Sequence, residues 1–272
     1  MEGCLTVGTY WHIFNIAIQN TLVYRVNFFV RALFNLVPLI AFITLWRAIY
    51  AGKPGTVAGY SLAEMISYYL LVTIIEATTA VTEDDWQIAA DIKDGHISQF
   101  LTRPMFYLHY RLCLFFSGRL VYTAAAFVPV ALFVFWNREY LVAPPDALWF
   151  GCFLVSLVFS ALLQFFLSYL IAMLAFWVLE IATFVFILLA FERMASGQMF
   201  PLDILPHWLA QAMMWTPFPY ATFFPVSIYL GKMSGPALVQ GLALQVFWVA
   251  ATYVFARLVW RRGLKSYTVV GG

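Results

Sequence analysis

Apolar residues come along this chain in long runs, separated by short stretches where polar and charged positions gather. A helix crossing a bilayer needs about 20 consecutive, mostly apolar residues. Six runs reach or approach that length: 32–49, 62–81, 112–136, 148–170, 173–190 and 237–259. The pattern predicts an all-α membrane protein with six transmembrane helices in a single domain over residues 1–272. The fourth and fifth runs almost merge around 171–176, so their join has to be a very tight turn; one long helix there would leave five spans.

Three segments interrupt the alternation of span and short loop. Residues 1–30 mix polar and apolar positions with aromatics throughout, most clearly between Tyr10 and Phe29. That mixture predicts a helix lying along the membrane surface. Residues 83–111, EDDWQIAADIKDGHISQFLTRPMFYLHYR, form a charged island between apolar runs. An island of this length is either a solvated loop or a docking surface for a soluble partner. Residues 197–225 are apolar enough for membrane depth, yet hold Pro201, Pro206, Pro217, Pro219 and Pro225, with Trp208 among them. Proline removes a backbone donor and clashes with the preceding turn. Broken backbone within a bilayer survives only where protein or a cavity buries it. The segment therefore predicts an outer re-entrant pair of short helices before the last span.

Composition narrows the classes. Charged residues are 10% of the chain and apolar ones 64%, against about 25% charged in soluble domains. A water-soluble globule is excluded. The net charge of +2, without a basic block, gives nucleic acid no footing. With the N-terminus inside, the inner cations are Arg25, Arg31, Lys93, Arg103, Arg111, Arg119, Arg257, Arg261, Arg262 and Lys265. The outer ones are Arg47, Lys53, Arg138, Arg193 and Lys232. Cytoplasmic loops carry the excess of Lys and Arg, so both termini and the island are predicted in the cytoplasm. The first 25 residues lack the clean apolar stretch of a signal peptide.

Candidate chemistry is sparse. Cys4, Cys113 and Cys152 are scattered, and His12, His96, His109 and His207 share no ligand spacing, so no metal site is predicted. The stretch AGKPGT is not a phosphate loop: that motif needs a glycine where Arg47 stands and Ser or Thr after Lys53. Ionisable residues inside spans are costly and often functional. Glu76, Arg119 and Glu180 fall at similar depth, so Arg119 can pair with either acid as a structural bridge. The alternative is a proton relay through Glu76 and Glu180, as in a secondary transporter. The outer halves offer only Glu64 and Glu192, the latter beside Arg193, which disfavours that relay. A membrane-embedded lipid-modifying enzyme would need clustered His, Asp or Arg at one interface, and no such cluster occurs.

The island is more specific than its composition. Ile92-x-x-Gly95 followed by Gln99-Phe100-Leu101-x-Arg103-Pro104 resembles the cytoplasmic coupling motif of type-2 ATP-binding cassette (ABC) export permeases. In that setting Trp86, Ile88, Ile92 and Phe100 are expected to offer apolar contacts to an ATPase, with Asp84, Asp85, Asp91 and Asp94 as a charged rim. Gly95 lets the chain leave the helix through a left-handed residue, and Pro104 prevents its continuation. The N-terminal segment, the run from Phe200 to Phe218, and the end from Trp260 to Tyr267 with Gly271 and Gly272 resemble further parts of the same family, in one branch with paired permease genes. The resemblance covers essentially the whole chain. It implies a non-enzymatic permease subunit in a bacterial-type cytoplasmic (inner) membrane, surrounded by lipid. Its partners would be a second permease, identical or paralogous, and two ABC ATPase subunits that hold the ATP and Mg, with no cofactor in this chain. The pathway would be lined from the first, second and fifth spans, with Phe34, Tyr68, Tyr69 and Phe184 as candidates. The cargo is not implied.

Overall fold

A computed structural model describes residues 7–52, 55–80, 84–101, 105–178 and 182–266. The described chain is almost wholly helical. Helix α1 (Val7–Leu22) turns at Val23 and Tyr24 into α2 (Arg25–Gly52), so the surface helix expected over 1–30 ends earlier and the first long helix starts earlier. Then come α3 (Leu62–Thr79), the short α4 (Asp84–Lys93) and α5 (Ile97–Leu101), α6 (Tyr107–Trp136) and α7 (Ala147–Ala172). The chain continues through α8 (Ala182–Ala195), α9 (His207–Met214) and α10 (Phe223–Tyr229) to α11 (Pro236–Ser266). Among the described residues five helices are long and apolar enough to cross a membrane: α2, α3, α6, α7 with the turn that extends it to Phe176, and α11. Phe34, Val37, Phe127, Leu132, Val158, Phe247 and Phe255 stand exposed on them. Soluble proteins rarely expose contiguous apolar surface on this scale.

The fifth apolar run is not one helix. Residues Met173–Phe176 tighten into a 3-10 turn, and the described part of α8 spans Ala182–Ala195. No proline or glycine causes this change; packing does. Met173 is fully buried beneath α4, and Phe176 presses on Trp260 and on the bare backbone of Gly263 in α11. At 14 residues and 1.5 Å per residue, α8 measures about 21 Å.

Side-chain contacts fix the relative directions. Asn35 meets Tyr122 and Arg47 meets Glu139, so α2 and α6 run the same way. Thr123 bonds the Ala77 carbonyl and Ser67 that of Tyr140, so α3 runs against α6. In the other half Ser156 meets Gln245, Phe166 meets Tyr253, and Phe176 meets Gly263. α7 and α11 therefore also run in one direction. Gln245, fully buried, bridges α7 and α10's approach by donating to the Ser156 and Tyr220 carbonyls and to the Ser160 hydroxyl. A buried amide is tolerable only when satisfied in this way.

The proline-rich segment is a chain of short helical pieces, with Pro201, Pro206 and Pro217 at the starts of three of them. Pro206 opens α9, which carries Trp208 outward at 70% exposure. Pro219 and nearly all of α10 are buried, packed on α7 and α3. One end of the molecule is closed by tyrosines. Tyr60 donates to Asp203 at 2.7 Å, and Tyr50 donates to the Tyr60 carbonyl at 2.6 Å. Lys232 sits over the Tyr60 ring and bridges to Glu64 at 2.9 Å. Burial and the adjacent Asp203 charge push the Tyr60 hydroxyl far above its ordinary pKa, keeping it a donor.

Candidate functional site

The opposite end carries the charged island. α4 is amphipathic at helical spacing: Ile88 and Ile92 point inward, while Trp86, Ala90 and Asp94 point outward. Its inner face packs against α7 and the 3-10 turn after it. Asp91 receives the Arg111 guanidinium and a 2.6 Å bond from the Tyr107 hydroxyl. Arg111 also donates to Tyr107 at 2.8 Å and to Gln87 at 3.1 Å. Tyr107 in turn stacks flat on Trp260 of α11, ring centres 5.1 Å apart. One short helix is thus tied directly to the ends of α6 and α7, and through Tyr107 to the end of α11. Asp94 bonds back to the Ala90 carbonyl, and Gly95 follows with φ +79, ending the helix through the left-handed region. His96 adds a 3.7 Å contact to Asp91, and α5 then carries Phe100 back against Tyr107 and Tyr110.

This corrects part of the expected docking surface. Ile88 is 0% and Ile92 3% exposed, consumed by the core with Ile97 and Phe165. They hold α4 to the helix ends and offer nothing to a soluble partner. Asp91 is likewise committed to Arg111 and Tyr107. Trp86 remains outward at 46% exposure, beside exposed Ala90, Asp94 and Gln99. Arg103 and Pro104 lie outside the described residues, as do the side chains of Asp84 and Asp85. The signal for the clamp was in the chain: Tyr107 and Arg111 stand four apart and therefore share a helix face.

Of the three intramembrane charges, Arg119 and Glu76 fall among the described residues. Arg119 is buried and lies over the Tyr122 ring at 5.0 Å. Glu76 shares a cavity of about 530 Å³ with Arg193 of α8, and Arg193 is the cation close enough to act on its carboxylate. Glu180 lies outside the described residues. The cavity lies between α2, α3 and α8, with Asn35, Thr73 and Gln198 as further polar positions. Of the four aromatic pathway candidates, Tyr69 lines it. Tyr68 is fully buried and bonded to the Gly197 carbonyl, while Phe34 and Phe184 face outward. A larger groove of about 820 Å³ between α1 and α6 has an almost entirely apolar wall around Arg119 and offers far fewer orienting groups.

These features define a multi-pass helical membrane protein whose charged segment is fixed to the ends of its long helices. The chain belongs to the ABC-2 transporter family: the family model described as ABC-2 family transporter protein matches residues 36–271. It is thus a permease component of an ABC transporter, and that family implies association with ABC ATPases. No curated protein matches the chain.

Proposed function

We propose that this chain is the membrane-spanning subunit of an ABC exporter, working as a pair of identical or paralogous permeases over two ATPase subunits that hold the ATP and Mg. It sits in a bacterial-type cytoplasmic membrane with both termini and α4 on the cytoplasmic side. The attachment of α4 carries this reading. One face is fastened to α6, to α7 and the turn after it, and through Tyr107 of α6 indirectly to α11, and the other, with Trp86, Ala90 and Asp94, is turned outward. A helix held in this way passes displacement of a docked ATPase to three long helices at once. Nucleotide chemistry stays in the partner.

The common direction of α7 and α11 supports a sixth crossing. Two consecutive long helices running the same way require a return between them. α8 followed by residues 196–203 supplies it, with Gly197 bonded to Tyr68 and Asp203 to Tyr60 near the far end. An even number of crossings returns the C-terminus to the side of the N-terminus. The proline-rich pieces 197–225 then form the outer re-entrant hairpin, and α1 lies along the cytoplasmic leaflet.

The test is affinity capture of the tagged permease from its host. Trp86→Asp combined with Ala90→Asp should release the ATPase while the permease keeps its elution profile. Ile92→Asp should instead aggregate. An ATPase retained by the double variant would remove α4 as its seat.

A further inference from the structure

We propose that the cavity between α2, α3 and α8 binds a zwitterionic amphiphile, its cationic group on Glu76 and its anionic group on Arg193. This rests on the permease reading above, whose pathway it supplies with a cargo chemistry.

Glu76 and Arg193 face one cavity, yet no ion pair or side-chain hydrogen bond joins them to each other or to any other described residue. Opposite charges placed in apolar surroundings ordinarily pair, because each costs several kcal/mol when left alone there. Glu76 is half-buried on α3, one turn before its end, and Arg193 stands on the facing α8, exposed but lining the same cavity. The space between them is bounded by Asn35, Thr73 and Gln198. The Thr73 hydroxyl is spent on the Tyr69 carbonyl, and the Asn35 amide donates to Tyr122 at 3.0 Å, leaving the Asn35 carbonyl oxygen to accept. Leu39, Phe42, Val72, Phe186 and Leu189 form the rest of the wall.

The charges discriminate among occupants. A purely cationic molecule satisfies Glu76 and is repelled by Arg193; a purely anionic one suffers the reverse. A neutral molecule leaves each charge with only the other, not in contact, as its counter-ion. A molecule carrying both signs a few bonds apart answers both groups, and the apolar wall takes its hydrocarbon. The cavity of about 530 Å³ is within the ordinary range for small-ligand sites.

Three probes with one tail test this: hexylphosphocholine, hexyltrimethylammonium and hexyl phosphate, titrated calorimetrically into the purified permease in maltoside detergent. Hexylphosphocholine should bind about tenfold tighter than either single-charge probe. Glu76→Gln should weaken hexylphosphocholine and hexyltrimethylammonium about tenfold and strengthen hexyl phosphate. Arg193→Gln should give the mirror image. Glu76→Asp and Arg193→Lys, which keep the charges, should preserve the wild-type order and guard against loss through misfolding. The proposal is overturned if the wild type shows no preference for the zwitterion, or if both Gln variants weaken all three probes equally. It is also overturned if those variants release a second permease copy, for the two charges would then serve contact between copies. Capture of an ATPase with the wild-type chain reports separately on the permease reading.

Discussion

Asp91 carries more of the charged island's attachment than any other single carboxylate described. It accepts from Tyr107 and Arg111 in a place where Arg111 is only 4% exposed. Removing one partner of a buried pair leaves an uncompensated charge and costs about 3 kcal/mol or more. Asp91→Asn should therefore lower Tm by roughly 6–12 °C, whereas Asp94→Asn, three residues away on the outward face, should leave it unchanged. Thermal unfolding of the two variants side by side checks this, and equal melting would deny the clamp its role. The sequence marked both aspartates alike as a rim. Which one turned inward depended on the neighbours of α4, and those come from α6, α7 and α11, far away in the chain.

At the scale of elements, runs of apolar residues revealed the long helices well, because length and composition are what a bilayer demands. The fifth run was read as a helix over 173–190 entered through a very tight turn at 171–176, and the turn stands there while the helix does not start with it. Its break at Met173–Phe176 arises from packing of Phe176 on Gly263, a contact between residues far apart in the sequence. A Cβ added at Gly263 would lie 2.3 Å from the Phe176 ring, while one at Gly118 in α6 would meet nothing within 4 Å. Gly263→Ala should destabilise the fold by about 1–3 kcal/mol, and Gly118→Ala should be neutral or stabilise by up to about 1 kcal/mol. Denaturation of the two variants in the same detergent would expose an error if their order were reversed. The short helix of the charged island and the short helices of 197–225 were legible from charge and proline. The facing of Ile88 and Ile92 was not, because an isolated amphipathic helix can present its apolar stripe to a partner or to its own protein.

For the whole molecule, counting cations gave an orientation but assigned Arg193 to the outer side, where the structure brings it beside Glu76 in the cavity. Such counts weigh loops, and Arg193, exposed near the end of the short α8, lines the cavity that holds Glu76. The orientation itself is open to a direct check. After Cys4, Cys113 and Cys152 are changed to Ser, single cysteines at exposed Arg138 and exposed Lys265 should separate by side. Arg138→Cys should react with an impermeant maleimide added outside intact cells, and Lys265→Cys only after the membrane is opened. The opposite pattern would invert the molecule.

The buried amide of Gln245 has a consequence for how the protein is made. Its partners are the Ser156 and Tyr220 carbonyls and the Ser160 hydroxyl, and Tyr220 comes into reach only once the proline-rich segment has folded back on α7. Synthesis delivers α7 first, that segment second and α11 last. The glutamine thus enters the membrane when every group that satisfies it is already waiting, and α11 becomes the bolt that closes this half of the subunit. A nascent chain halted before α11 keeps the Ser160–Tyr220 bond but lacks the amide that ties both to Ser156, so this half of the subunit stays unbolted until its last helix arrives.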